Sequence, residues 1–411
     1  MKLAVLCPHF APDVAPTGEV ITRIVLELAD RGHELHVVTA LPWYVNHKVE
    51  APWSGKTVRR EKTQWGSITR VNPFPTDKTS IPQRAAAFAA FSALAGLAGV
   101  RGGKVDGVLA MSPPLTLGLT GWGMHLARRG PLVFNIQDVF PDVAVELGAI
   151  TNQRLISLAT WLEKFSYERA DAVTVLSDDL RNNLTAKVSA VHQGKIRVIP
   201  NFVDTVAIQP SDRMTAYRRE LGIGNETVVL YAGNVGLSQS LELLAHVARE
   251  LRHDPGVVFV VNGGGSGLEP LRAATADLAN VRFAPYQPRE RLAEVLASGD
   301  IHLVPLKKGL AASSVPSKTY SVLAAGRPLL ASVDAGTEVA RVVEQAECGI
   351  AVAPEDPDAF LAGLLALLND PDGRVAMGER GRAFVEQWAS PAAVAEAYER
   401  LFEELRADRR G

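Results

Sequence analysis

The sequence predicts an α/β protein made of two doubly wound parallel sheets. Three observations carry that expectation. Residues 2–7 (KLAVLC) form an apolar run, followed by the loop PHFAPDVAPTG, a segment with apolar residues at helical spacing (19–32) and a second apolar run (33–40); this is the β–loop–α–β opening of a parallel sheet. The pattern restarts at 226–233 (ETVVLYAG), after the irregular, proline-bearing stretch 201–213. At 411 residues the chain also exceeds what a single hydrophobic core organises.

In the first half, the helical segment 19–32 closes on Gly32, and strands are expected at 33–40, 68–72, 105–111, 131–136, 171–176 and 195–199. In the second half a helix, LELLAHVARELR, follows the restart. Strands are then expected in VVFVVNGG, NVRFAPY, DIHLVPL, RPLLASV and CGIAVA. The last segment, PAAVAEAYERLFEELRADRR, is amphipathic and is expected to cross back to the first domain. The expected boundaries are 1–204, 205–388 and a terminal helix at 389–411. Ligands of such sheets bind at the carboxyl ends of strands.

A formal net charge of -2 exerts no pull toward nucleic acid, so any anion site must be local. The two cysteines, Cys7 and Cys348, exclude a disulfide scaffold and fit a reducing compartment. The N-terminus lacks the length and cleavage site of a signal peptide, and a cytoplasmic location is expected. Residues 85–100 carry no charge and are flanked by Lys78, Arg84, Arg101 and Lys104. A helix of that length rises roughly 24 Å, too short to span a bilayer. Two readings stay open: a helix in a membrane interface, giving peripheral contact through 84–101, or an Ala-rich helix packed inside a domain.

Three motifs could meet a ligand at a strand end or a helix start. In NGGGSG (262–267) the dinucleotide register fails, because the third position falls on Leu268 or Pro270; the glycines, Gly264 among them, still permit close approach of a nucleotide. In YAGNVGLSQSLE (231–242), Asn234, Ser238, Gln239 and Ser240 precede a helix. They suit an anion or sugar hydroxyls, and plain N-capping by Ser238 or Ser240 explains them as well. In SSVPSKTYSVLAAGRP (313–328), Ser314, Ser317 and Lys318 meet a helix start, the chemistry of a diphosphate site. A lysine in a first helical turn opposes the dipole, which disfavours a purely solvated role.

Further candidates are Gly18 and Glu19 at the start of the first helix, and Asp138 and Asp142 in NIQDVFPD. Asp138 is a strand-end carboxylate able to orient a hydroxyl, whereas Asp142 reads as a helix cap. The acid pair of EDPDAF (355–360) reads as capping, and no acidic or histidine cluster has metal spacing. His9 and His125 show no partner in the sequence.

The ordered set of LADRGHELHVVTA, YAGN, the Gly-rich loop after VVFVV, PSKTYSVLAAGRP and CGIAVAPEDPDAF resembles glycosyltransferase family 4. SPPLTLGL (112–119), QDVFPD and PSK resemble its branch building colanic acid, O-antigen and capsular polysaccharides on polyprenyl diphosphate. The resemblance covers essentially the whole chain. It implies the GT-B fold, two Rossmann-like domains facing across a cleft, and a retaining, metal-independent transferase without a cofactor. Its partners would be a nucleoside diphosphate sugar and a lipid-linked saccharide. The family's two glutamates fall on Ser313 and Ser321, and its diphosphate-gripping Arg and Lys on Asn234 and Gln239. By the resemblance, the donor's base would lie near Tyr286 to Pro288, its diphosphate on Lys318, the 317–318 amides and Gly18, and the acceptor hydroxyl on Asp138. Two other classes remain: a non-transferring sugar-nucleotide enzyme such as a UDP-N-acetylglucosamine 2-epimerase, and a nucleotide-sugar-binding protein with a decayed site.

Overall fold

The computed structural model describes residues 1–44, 47–75, 81–142, 145, 150, 152–236, 238–309 and 318–409. The chain forms two units, Met1–Asn201 with Val394–Gly411, and Phe202–Ala393.

The sheet of the first unit contains β1 (Lys2–Leu6), β2 (Glu34–Ala40), β3 (Val58–Thr63), β4 (Gly66–Val71), β5 (Gly107–Ser112), β6 (Leu132–Ile136), β7 (Ala172–Val175) and β8 (Ile196–Val198). Their order is β3-β4-β2-β1-β5-β6-β7-β8, parallel except for the β3–β4 hairpin. The strands expected from apolar runs are present. β3 was not expected: VRREKT carries four charged residues, and no side chain in it is fully buried. It is an edge strand, where charge blunts pairing with other chains and erases the apolar signal. Strand order reverses between β1 and β5, which opens a crevice at their carboxyl ends.

Helix Ile81–Gly99 packs on this sheet and on helix Thr116–Arg128, burying Ala87, Phe91 and Ala95. Its other side exposes Ala85, Ala86, Ala89, Ala93 and Leu97 at helical spacing. Among the described residues no helix is long and apolar enough to cross a membrane.

The terminal helix, Pro391–Asp408, completes the first unit's core. Buried Tyr398 accepts a hydrogen bond from Asn135 Nδ2 at 2.9 Å, and Glu399 pairs with Arg31 at 2.6 Å and His33 at 3.0 Å. Gly107 has no side chain because a Cβ there would lie 2.4 Å from the Phe402 ring.

The second unit's sheet runs β11 (Val281–Ala284), β10 (Val257–Asn262), β9 (Thr227–Ala232), β12 (Ile301–Pro305), β13 (Leu329–Ser332), β14 (Gly349–Val352), all parallel, and reverses between β9 and β12. Buried Asp300, ahead of β12, accepts from Arg213 at 2.9 Å, Arg218 at 3.2 Å and the Val228 amide at 2.8 Å, tying β9 to β12 at the end opposite that crevice.

Candidate functional site

In the second unit the candidate residues gather at the carboxyl end of β9. The chain leaves β9 through Gly233, whose φ of +143° favours glycine, and folds back so that Gln239 bridges to Leu306 beyond β12. Lys318 is the first residue of helix Lys318–Ala324. Its ammonium donates to Tyr231 Oη and to Gln239 Oε1, both at 3.0 Å, and sits 4.2 Å from the Tyr231 ring centroid. The Tyr231 hydroxyl spends its own proton on the Asn234 carbonyl, so it faces the lysine with a lone pair. Among the described residues no carboxylate pairs with Lys318, and burial holds its ammonium down to about 8. A cation kept in place by two neutral acceptors and one π face retains an unneutralised charge. An anion arriving here would meet that charge without first displacing a carboxylate.

The glycine-rich loop lies beside this cluster. A Cβ on Gly263 would sit 1.9 Å from the Gly233 carbonyl oxygen, and one on Gly265 would sit 2.4 Å from that of Val235. These glycines are therefore required by the packing of one loop on the other. Gly264 accepts from the Val235 amide at 2.9 Å and from the Tyr286 hydroxyl at 3.3 Å, and the Tyr286 side chain is 57% exposed. That leaves an aromatic face free beside a backbone with no side chain. Ser321 lies in the same helix as Lys318, half-buried. Ser313, Ser314 and Ser317 lie outside the described residues.

The capping alternative for the loop after β9 falls. Neither Ser238 nor Ser240 caps the helix Glu242–Glu250, whose N-cap position is Leu241; Ser238 Oγ instead accepts from Gln239 at 3.1 Å. Asp142 binds Lys187 at 2.7 Å and accepts from Asn183 at 3.1 Å, and Lys187 also holds buried Glu163 at 2.8 Å; most of the segment Asp142 is expected to cap, 143–149, lies outside the described residues. Asp356 does cap the helix Pro357–Asn369, accepting from the Ala359 amide at 2.9 Å.

In the first unit, Asp138 stands two residues past β6 with no hydrogen bond or ion pair among the described residues. Its side chain reaches solvent, yet the protein crowded around it raises its carboxyl above the usual range. Gly18 is the third residue of helix Pro16–Asp30, and a Cβ there would lie 2.8 Å from the Cβ of His9. Its small size is thus demanded by His9.

His9 does have a partner, which sequence reasoning missed. Its Nδ1 lies 2.6 Å from Asp13 Oδ2, and the buried Asp13 accepts the amides of Trp43 at 3.2 Å and Tyr44 at 2.9 Å on its other oxygen. The turn from Phe10 to Asp13, closed by a 3.1 Å backbone bond, brings the two side chains together. A spacing of four residues across a proline-containing loop carries no such signal. Among the described residues no group of three or more His, Cys, Asp and Glu side chains is arranged to hold a metal.

Residues 17–201 match the glycosyl transferase 4-like domain and residues 226–370 match the domain of the glycosyl transferases group 1. The chain is 29% identical over 387 residues to WcaI of Escherichia coli (strain K12), a glycosyl transferase assigned to colanic acid biosynthesis, covering 90% of this chain and 93% of that one. The sucrose-phosphate synthase of Thermosynechococcus elongatus superposes with a TM-score of 0.66 at 20% identity, over 99% of this chain and all (100%) of that one. Anabaena Alr3699/HepE, solved with UDP-glucose, superposes with a TM-score of 0.64 at 14% identity, over 98% of this chain and 100% of that one. With two matched domains laid over its two units and the fold shared throughout, this chain belongs to the GT-B glycosyltransferases.

Proposed function

We propose that the protein moves a sugar, with retention of configuration and without a metal, from a nucleoside diphosphate sugar to a saccharide carried on a polyprenyl diphosphate lipid, in the synthesis of a cell-surface polysaccharide. UDP is the favoured donor carrier. The observation that carries the reading is Lys318, a half-buried ammonium fixed by Tyr231 and Gln239 with no carboxylate among the described residues to neutralise it. Negative charge grows on the leaving diphosphate as the glycosidic C–O bond breaks, and a fixed cation stabilises that charge without reorganisation. Asn234, Gly264 and Tyr286 would line the donor's approach, and Ser313, Ser314, Ser317 and Ser321 would supply hydroxyls where the family has two glutamates. Gly18 would let a ligand approach the backbone of the first helix. Asp138 would offer its carboxylate to the acceptor. The assignment of WcaI to colanic acid synthesis and the UDP-glucose complex of Alr3699/HepE support the choice of substrates.

The deciding experiment is release of nucleoside diphosphate from UDP-, GDP- and dTDP-sugars, with and without short polyprenyl-diphosphate saccharides in detergent. Release that needs one donor and one lipid acceptor is expected. Tight binding of one nucleotide with no release from any pair would instead favour the binding protein, a reading motivated by serine at both glutamate positions.

A lipid-linked acceptor places the enzyme at a membrane surface. The apolar stripe on helix Ile81–Gly99 would meet that surface together with Leu158 and Trp161 of helix Gln153–Arg169, which are 60% and 58% exposed. Helix Thr116–Arg128 packs against both. Exchanging Leu97 and Leu158 for glutamate is expected to lower co-sedimentation with anionic vesicles several-fold, with nucleotide binding unchanged.

A further inference from the structure

Other histidines of the first unit show what a structural imidazole looks like here. His33 uses both nitrogens, Nδ1 on the Met1 amine at 2.8 Å and Nε2 on Glu399 at 3.0 Å. His36 does the same, with Ser67 and Glu34 each at 2.9 Å. His9 differs. Its Nδ1 is held by Asp13, and its Nε2 has no partner among the described residues.

The hold on His9 is thorough. Asp13 is an acceptor on both oxygens, because Oδ1 already receives two backbone amides. Facing an ionised carboxylate, a neutral imidazole donates from Nδ1 and keeps its lone pair on Nε2. Trp43 stacks on the ring with centroids 5.7 Å apart, and Tyr44 meets it edge-on at 5.2 Å. Gly18 is small so that the His9 Cβ fits against the first helix. Four residues from three segments thus fix the orientation and tautomer of one imidazole at the carboxyl end of β1, beside the reversal of strand order. Among the described residues that nitrogen bonds to nothing, so the described fold does not account for so firm a hold on it.

We infer that His9, oriented by Asp13 and flanked by Trp43 and Tyr44, is a saccharide-binding subsite in which Nε2 accepts a hydrogen bond from a hydroxyl of the acceptor. The chemistry fits a sugar: a fixed neutral acceptor for an O–H group, beside half-buried aromatic rings for the C–H face of a pyranose. His9 touches substrate in this account, and Asp13 is a positioning residue. The inference rests on the transferase reading and adds to it the group that recognises the acceptor.

The test is steady-state kinetics with the polyprenyl-diphosphate saccharide that supports release by the wild-type protein. His9→Ala should raise KM for that saccharide about tenfold, the loss of roughly one hydrogen bond, with kcat and KM for the donor little changed. His9→Gln, which keeps an acceptor oxygen, should recover part of the loss. Asp13→Asn should retain the amide bonds from Trp43 and Tyr44 but donate to Nδ1. The imidazole then carries its proton on Nε2, a switch visible in ¹⁵N chemical shifts, and the KM for the saccharide should rise as in His9→Ala. Equal saccharide KM values in wild type and His9→Ala would overturn the subsite while leaving the transferase intact. A rise in donor KM of the same size would overturn it also, by showing a general disturbance. No turnover by the wild-type protein with any pair would overturn both.

Discussion

Replacing Lys318 by methionine is expected to weaken nucleoside diphosphate binding by about two orders of magnitude, the scale of losing a charge-assisted contact, while leaving the fold at least as stable. The two halves of that result come from one fact. Burial holds the ammonium down to about 8 from an ordinary 10.5, so the folded state disfavours the charged form. At neutral pH this costs up to about 3 kcal/mol, less what solvent reaching this half-buried side chain restores. Methionine removes that cost, and loses the bonds to Tyr231 and Gln239 in exchange. The sign in pH follows. A lysine whose folded pKa is depressed binds fewer protons folded than unfolded, so wild-type stability should climb between about pH 8 and 10.5, and Lys318→Met should lack that climb. Denaturation at pH 7 and pH 10, with calorimetric titration of UDP and GDP, reads both. A variant that loses several kcal/mol yet binds nucleotide normally would make Lys318 a structural residue.

Phe402→Ala is the second large effect expected, a loss of about 3–5 kcal/mol. Phe402 is buried, and its ring occupies the space a side chain on Gly107 would need, so its removal leaves a cavity against β5 that Gly107 cannot fill. Chemical denaturation would give the magnitude. Amide exchange should rise first in β1 and β5, the strands beneath that ring, and little in β9 to β14.

Sequence periodicity exposed most of this fold because parallel strands buried on both faces read as apolar runs, as in β1, β5 and β10. It failed at β3, where pairing at a sheet edge needs no apolar residue. The site was legible only in part, and for a comparable reason. Lys318 stood out by charge and position, but the partners that fix it, Tyr231 and Gln239, are remote in sequence and became visible only once β9 and the loop beyond it were placed. The glycines at 263 and 265 suggested ligand approach, whereas loop packing alone requires them. His9 and Asp13 were hidden more completely, because a contact made by a loop's path leaves no periodic mark.

The terminal helix has a consequence for biosynthesis. A chain emerging from the ribosome presents all strands of its first sheet before residue 202, but Tyr398, Glu399 and Phe402, which finish that sheet's core, arrive only after the whole second unit has been translated. During that interval the faces of Asn135 and Gly107 wait without their partners, exposed to water and to chaperones. The second unit, which borrows no late segment, is free to mature first. A chain cut short of residue 394 is therefore expected to keep every strand of the first sheet and still lack part of its core.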